Sequence, residues 1–213
     1  MNLLSTHDSA RALYQFGYTG TSTPPEQVAE AKQRLRLAVL FQMTFPGAPT
    51  VFYGDEVGVT GGEDPFNRAT YPWADEGGTP DTALLDDVKQ LIALRNDHEV
   101  LRRGSLGAPS HVDEHLIVLQ REHDGVRAVT AYNNDTEAHD VAVTVPAGTR
   151  PIRTPSPGRS SVRSTGRSPS PCRRSAAWCS SPVRRRLRPS MRSGPTCGPP
   201  RSRGRSRGRS PVA

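Results

Sequence analysis

The chain has 213 residues and a formal net charge of +7, but this charge is divided unevenly along it. Residues 1–150 hold 12 Lys and Arg against 21 Asp and Glu, a net charge of −9, whereas residues 151–213 hold 16 Arg and no acidic residue. The sequence contains no run of ~18 apolar residues, the length a membrane helix needs. The first residues also lack the basic and apolar regions of a cleaved export signal.

All three cysteines lie in the basic segment, at positions 172, 179 and 197. Their spacings match no zinc-site pattern, and an odd number argues against a disulfide framework. Only residues 1–150 have the apolar content to bury a core. We therefore expect a cysteine-free folded body, no metal, no cofactor and a cytoplasmic location.

Two helices are predicted in the body. The sequence Thr23-Pro24-Pro25-Glu26 indicates a capping box, with Thr23 as the N-cap, and apolar residues follow at helical spacing until the Phe-Pro-Gly sequence at 45–47. The second helix is predicted to begin near residues 79–81 and to end around residues 102–104, where basic side chains face its C-terminus.

The remaining apolar segments predict strands. Residues 3–4 and 48–54 alternate with the two helices in the order β-α-β-α, which indicates parallel strands, and residues 48–54 are typical of a buried strand. After the second helix, apolar residues recur at every second position. Residues 115–122 and 126–132 flank an Asp-Gly turn, which predicts an antiparallel hairpin, and residues 141–145 predict a further strand.

Residues 151–213 have no periodic pattern, and we expect them to be disordered. Two interpretations remain open. Sixteen arginines without one acid could bind nucleic acid through phosphate contacts, although only non-specifically. The favoured interpretation is a frameshift product, because Arg, Ser, Pro and Gly are what a GC-rich coding sequence yields in the wrong frame.

The first chemically distinctive residues are His7, Asp8 and Arg11, which follow the apolar segment at 3–4. At the C-terminal end of a barrel strand, such side chains would project into the active site. The alternative is an exposed turn or an Asx cap, which is the commoner role of a lone His-Asp pair.

Four further segments follow in a fixed order: FQMTFPGAP at 41–49, VFYGDEVG at 51–58, GGEDPFNR at 61–68 and YPW at 71–73. Together with residues 2–11 they closely resemble the end of the catalytic barrel in the α-amylase superfamily. The resemblance is strongest to the neopullulanase, cyclomaltodextrinase and maltogenic amylase branch. It covers residues 2–104 and is looser from 105 to 150.

The resemblance implies an α/β fold that contains the last two strand-helix units of a (β/α)₈ TIM barrel over residues 1–104. Residues 105–150 would begin the antiparallel C-terminal β-sandwich of the family. The resemblance does not extend to residues 151–213, which composition alone predicts to be a disordered basic tail. A complete barrel usually takes about 250 residues. The chain is therefore interpreted as a C-terminal fragment.

The resemblance also assigns roles to five residues. Asp8 aligns with the transition-state stabiliser, and His7 with the histidine that hydrogen-bonds the same sugar. Asp64 and Arg68 match an Asp-x-x-x-Arg element that holds the glucose next to the cleaved bond, and Arg11 is predicted to bind substrate as well. Tyr71 and Trp73 could stack on sugars or pack inside the fold, and Asp55 with Glu56 could contact substrate or form ion pairs within the loop.

The implied activity is retaining hydrolysis of α-1,4 links in maltodextrin, cyclomaltodextrin or pullulan, and cleavage of α-1,6 links is left open. Such hydrolysis needs a nucleophile and an acid/base residue about 5 to 5.5 Å apart, and the family carries both on barrel strands that lie upstream of these motifs. We therefore expect this chain alone to be inactive. The intact parent could form a homodimer, as relatives often do. The alternatives are a nucleic-acid-binding protein with a basic tail and a non-catalytic oligosaccharide-binding fragment.

Overall fold

A computed structural model describes residues 1–143, together with the backbone of three short strands at 150–153, 160–164 and 175–179. The helices are α1 (Ala12–Gln15), α2 (Pro25–Thr44), α3 (Thr82–Asp97) and α4 (Glu99–Arg103), and short 3-10 helices occupy Asp55–Val57, Phe66–Arg68 and Ala74–Glu76. The strands are β1 (Ser105–Leu106), β2 (His111–Val112), β3 (Leu116–His123), β4 (Val126–Asn133), β5 (His139–Val143), β6 (Arg150–Arg153), β7 (Ser160–Ser164) and β8 (Ser175–Cys179).

Helix α2 is confirmed, but the predicted capping box is wrong. The helix begins at Pro25 after an N-cap at Pro24, and no side chain caps it. Thr23 lies one residue before this N-cap, and its hydroxyl instead accepts hydrogen bonds from the amides of Thr19 and Gly20. The helix ends before Pro46, as predicted, with Phe45 in an extended conformation.

The second predicted helix is divided into α3 and α4. Asp81 caps α3 by accepting a hydrogen bond from the Leu84 amide at 3.0 Å, and the backbone turns extended at His98 before α4 begins. Arg102 of α4 donates to the carbonyls of Arg95 and Asn96 at the end of α3. A basic side chain thus lies at a helix C-terminus, as predicted, but the terminus is that of α3 and the side chain comes from α4.

The predicted strands at 3–4 and 48–54 are reduced to one parallel bridge between Asn2 and Pro49. Val51 and Tyr53 are 36% and 42% exposed, so the prediction of a buried strand is wrong in this structure. No neighbouring strand covers them within the described residues, and Pro46 and Pro49 have no amide hydrogen to donate. The Gln42 side chain compensates in part, because its Nε2 donates to the carbonyls of Asn2 and Thr50.

The predicted hairpin is confirmed. Strands β3 and β4 pair antiparallel over eight residues each, and Asp124 and Gly125 both adopt positive φ in the turn, at 49° and 73°, as a two-residue hairpin turn requires. Strands β1 and β2 also pair antiparallel with β3. Strand β5 begins at His139, two residues before its predicted start, and pairs parallel with β7.

The two faces of the hairpin pack against different partners. One face contributes Leu119 and Tyr132 to a core with Leu35 and Leu40 of α2 and Leu84 of α3. The opposite face forms a second cluster of six residues: Leu116, Val118, Val129, Ala131, Val141 and Val143. The helices therefore cover one side of the antiparallel β3–β4 hairpin, and strand β5 packs on the other side.

The segment predicted to be disordered lies mostly outside the described residues. Within it, β8 pairs parallel with both β4 and β6, which the sequence did not predict. Disorder of the remaining residues and the frameshift interpretation stay predictions. Among the described residues, no helix is both long and apolar enough to cross a membrane.

Candidate functional site

Four of the five predicted site residues lie together on the surface, and we refer to His7, Asp8, Asp64 and Arg68 as the charged cluster. Arg68 lies between the two carboxylates, with its Nε 3.1 Å from Asp64 Oδ1 and its Nη2 3.8 Å from Asp8 Oδ1. The His7 ring nitrogen Nε2 is 3.1 Å from Asp8 Oδ2. The cluster thus combines two carboxylates, one guanidinium and one imidazole in one place.

All four side chains of the charged cluster are accessible to solvent. Asp8 and His7 are 73% and 68% exposed, and Asp64 and Arg68 are 62% and 49% exposed. Ion pairs this open contribute little to stability, typically 0–1 kcal/mol. The four side chains therefore add little to the stability of the fold.

The two carboxylates come from segments that are almost sixty residues apart in the sequence. Asp8 lies in a turn in which the Thr6 amide donates to the Ser9 hydroxyl at 3.0 Å and the Asp8 amide donates to the Thr6 hydroxyl at 3.1 Å. Asp64 precedes the 3-10 helix at Phe66–Arg68, and Arg68 is the last residue of that helix. Short polar side chains commonly hold such turns through local backbone bonds. Local patterns therefore indicate each turn separately, and only the resemblance to the family predicts that the two turns lie together.

Asn67, which no sequence pattern predicts as a site residue, joins the two segments. Its side chain is 1% exposed, and its Nδ2 donates to the carbonyls of His7 and Ser9 at 2.8 and 3.0 Å. Arg68 adds a third link, because its Nε donates to the His7 carbonyl at 3.1 Å. No sequence signal identifies Asn67, since an Asn next to Pro65-Phe66 is equally typical of an exposed turn.

Replacing Asn67 with Ala should lower the free energy of unfolding by about 1–3 kcal/mol, because two carbonyls lose their donor inside the fold. Asn67→Asp should cost at least as much, since a carboxylate would then face the same two carbonyl oxygens. Urea denaturation measures both. Asn134→Ala, at an exposed position, is the control and should change stability by less than about 0.5 kcal/mol. Equal effects for Asn67→Ala and Asn134→Ala would contradict this account.

Arg11, the fifth predicted site residue, does not belong to the charged cluster. Its side chain is fully buried, and its guanidinium donates to the carbonyls of Asn67, at 2.7 Å, and Tyr53, at 2.5 Å, and to Asp55 Oδ1 at 3.2 Å. The guanidinium also lies over the Phe52 and Tyr53 rings, 4.2 and 4.6 Å from their centroids. The predicted substrate contact is incompatible with this burial, and the structure indicates that Arg11 supports the segments carrying the site.

Asp55 pairs with Arg11 inside the loop, which supports ion pairing over substrate contact for this carboxylate. Burial raises the pKa of Asp55 above its ordinary value of 3.8, and it outweighs the opposing influence of the Ser5 hydrogen bond and the Arg11 charge. The neighbouring glycine, Gly54, has φ of 88°. A Cβ there would lie 2.8 Å from Val59 Cγ2, so a side chain would disturb the same loop.

The raised pKa of Asp55 predicts a specific dependence of stability on pH. The contribution of Asp55 to stability is complete below its unfolded pKa and decreases as the pH rises through its higher folded pKa. The free energy of unfolding of the native chain should therefore fall relative to that of Asp55→Asn as the pH rises above about 4. Urea denaturation of both proteins between pH 4 and pH 7 measures this difference. A constant difference across that range would show that the carboxyl pKa is not raised.

Tyr71 and Trp73 form an aromatic pair near the loop of Asp64 and Arg68 in the sequence. Their ring centroids are 4.4 Å apart, and Trp73 is 55% exposed. An interior packing role is therefore excluded for Trp73 in this structure, whereas stacking on a sugar remains a prediction. Within the described part of the chain, no group of three or more His, Cys, Asp or Glu residues is placed to hold a metal ion.

No protein-family model matches the chain, but curated proteins do. It is 44% identical over 110 residues to an amylopullulanase from Thermoanaerobacterium thermosulfurigenes, which covers 50% of the chain and 6% of that protein. It is 35% identical over 147 residues to a cyclomaltodextrinase from Geobacillus thermopakistaniensis and over 151 residues to neopullulanase 2 from Thermoactinomyces vulgaris. Each of these two matches covers 68% of the chain and 23% of the relative.

Solved structures agree with the sequence matches. An α-amylase from Anoxybacillus superimposes with a TM-score of 0.52 and 26% identity, over 63% of this chain and 27% of that one. The chain thus spans less than a quarter of the length of each curated relative described above. By its sequence and its fold, the chain belongs to the α-amylase superfamily of glycoside hydrolases.

Proposed function

We propose that the chain is the C-terminal part of a retaining α-glucan hydrolase and carries one side of its substrate site. The observation that supports this most directly is the meeting of Asp8, His7, Asp64 and Arg68 on one exposed surface. The amylopullulanase, cyclomaltodextrinase and neopullulanase that it resembles are named for glucan substrates. We propose maltodextrin, cyclomaltodextrin or pullulan as the substrates of the intact enzyme, which would act in the cytoplasm.

The charged cluster suits a sugar whose ring becomes positively charged during hydrolysis. A carboxylate that accepts hydrogen bonds from ring hydroxyls gains stabilisation as the ring flattens and acquires oxocarbenium character. We assign this role to Asp8, with His7 beside it on the same sugar. A guanidinium next to a carboxylate offers hydrogen-bond donors and an acceptor in fixed geometry to vicinal hydroxyls. We assign this binding of sugar hydroxyls to Arg68 and Asp64.

We further propose that residues 1–104 are the last two strand-helix units of a (β/α)₈ barrel. The parallel bridge between Asn2 and Pro49 supports this assignment, as does the packing of α2 against α3. Two short ion pairs connect these helices, Lys32–Asp81 at 2.8 Å and Arg36–Asp87 at 2.5 Å. The antiparallel hairpin of β3 and β4 supports a C-terminal β-domain that begins at residue 105.

Hydrolysis also needs a nucleophile and an acid/base residue. The motifs that carry them in the family do not occur in this sequence, and Asp8 cannot fill both roles while stabilising the transition state. The purified chain should therefore release no reducing sugar from maltodextrin. Release above the level of a vector-only control would contradict this expectation.

A chimera tests the proposed role of the site. The segment of the Geobacillus cyclomaltodextrinase that matches this chain would be replaced by the matching residues of the chain, and hydrolysis of cyclomaltodextrin would be measured. The chimera should be active. Asp8→Asn within it should lower kcat about a hundredfold to a thousandfold, because one preorganised electrostatic contact to the transition state is lost.

Asp124→Asn is the matched control, since it makes the same chemical change at a hairpin turn whose side chain is 90% exposed. It should leave kcat unchanged. Circular dichroism and thermal unfolding would establish that each chimera is folded. A folded chimera without activity, or one whose Asp8→Asn variant keeps full activity, would contradict the proposed function.

A further inference from the structure

A separate open groove of about 1000 Å³ borders the loop that carries the charged cluster. Glu63, Pro65, Phe66 and Ala69 line it, whereas none of the four residues of the charged cluster does. Residues of α1 and of the segments next to it also line the groove, including Tyr14, Gln15 and Thr19, as do residues 60–62. Its volume is at the upper end of the range found for pockets that bind small ligands.

Two glycines allow the walls of the groove to lie close together. A Cβ on Gly61 would lie 2.1 Å from the Phe66 carbonyl oxygen, and a Cβ on Gly62 would lie 3.1 Å from Tyr14 Cζ. The Gly61 carbonyl accepts a hydrogen bond from the Arg11 amide at 2.9 Å. Phe66 and Tyr14 therefore both pack closely against the Gly61–Gly62 segment, and this packing defines the shape of the groove.

The lining identifies the chemistry of a suitable ligand. Two aromatic rings are present, of which Phe66 is 72% exposed, and amide, hydroxyl and carboxylate groups are supplied by Gln15, Thr19, Thr60 and Glu63. Among the described residues that line the groove, Glu63 is the one charged side chain, so phosphates and nucleic acids have no cation to bind there. A neutral pyranose matches this set, because its apolar face packs on an aromatic ring while its hydroxyls pair with polar groups.

We propose that this groove is a second oligosaccharide-binding surface, distinct from the charged cluster. The choice of an α-glucan as its ligand rests on the proposed function, whereas the preference for a neutral sugar rests on the lining itself. Because residues 63–69 border both surfaces, a bound glucan would contact the loop that carries Asp64 and Arg68. Binding in the groove would thus hold a glucan chain beside the site where it is hydrolysed in the intact enzyme.

The test is a titration of the full ¹⁵N-labelled chain with maltoheptaose, followed by NMR. Amide signals of residues 60–62 and of Thr19 and Gly20 should shift in a saturable manner. Phe66→Ala should weaken binding at these amides at least about fivefold, since one exposed aromatic platform is lost. Val112→Ala, which shortens an apolar side chain that is 63% exposed and remote from the groove, is the matched control and should leave binding unchanged. Cellopentaose, whose glucoses are β-linked, should bind more weakly than maltoheptaose.

The outcomes separate this inference from the proposed function. Arg68→Ala should remove shifts at His7 and Asp8 while leaving those at residues 60–62 intact. If the signals of residues 60–62 do not move, or move equally in Phe66→Ala, the groove proposal is overturned whatever happens at the charged cluster. If they move as expected while His7 and Asp8 do not respond, the groove stands and the proposed role of the cluster fails. Equal binding of cellopentaose would overturn the assignment of an α-glucan.

Discussion

Replacing Arg11 with Met is expected to lower the free energy of unfolding by about 3–5 kcal/mol, because it leaves the buried Asp55 carboxylate without its cation. The carbonyls of Asn67 and Tyr53 would lose their donors as well. Methionine preserves much of the side-chain volume, so the loss would report on charge and hydrogen bonding more than on a cavity. Urea denaturation at pH 7 measures the effect.

Two further variants make this experiment decisive. Arg34→Met is the control, since Arg34 forms an exposed ion pair with Glu30 four residues earlier, and such pairs contribute about 0.3–0.5 kcal/mol. The double variant Arg11→Met with Asp55→Asn should recover part of the loss, because the unpaired charge is removed together with its partner. An effect of Arg11→Met no larger than that of Arg34→Met would show that the buried pair does not support the loop.

The second large effect is expected for Arg121→Met, at about 3 kcal/mol. Arg121 on β3 donates to the carbonyls of Gly104, at 2.6 Å, of Thr44, at 3.1 Å, and of Leu101. Each buried carbonyl that loses its donor costs about 1–3 kcal/mol, and removing a buried cation returns part of that cost. Burial, followed by the charge of Arg95, lowers the pKa of Arg121, which is consistent with a guanidinium that is stabilised by carbonyl dipoles and not by a carboxylate.

Arg127→Met is the control for Arg121, because Arg127 lies on the adjacent strand and forms an exposed pair with Glu122 at 2.7 Å. It should change the free energy of unfolding by less than about 1 kcal/mol. Thermal unfolding of both variants in the same buffer would show which of them loses more stability. A smaller loss for Arg121→Met than for Arg127→Met would contradict the structural role of the buried guanidinium.

The sequence predicted the elements whose signals are local. Helix α2 and the hairpin follow from apolar spacing and from the Asp124-Gly125 turn, and the motifs containing Asp8, Asp64 and Arg68 were sufficient to identify the family. The family's pattern also predicted that these residues would lie together, which the structure supports through the contacts of Arg68 with both carboxylates.

The predictions that failed depend on contacts between distant segments. Arg11 continues the family motif of His7 and Asp8, and the resemblance therefore predicts a substrate contact, but its carboxylate partner lies 44 residues away. Asn67 carries no pattern of its own, because its importance comes from two carbonyls almost sixty residues earlier. The segment at 48–54 has the composition of a strand, yet a strand also needs a neighbour on its open edge, which the described residues do not provide.

The end of helix α2 shows how closely the helices and the sheet depend on each other. Arg95 of α3 donates to the carbonyls of Met43, Phe45 and Gly47, Arg121 of β3 donates to that of Thr44, and the Thr44 hydroxyl lies 2.6 Å from the Tyr132 hydroxyl of β4. If a different C-terminal domain were joined to these helices, it would therefore need a basic side chain that replaces Arg121 at the C-terminal end of helix α2. Without such a cation, the hybrid protein would begin to unfold at the end of helix α2, however stable the helices and the new domain were before they were joined.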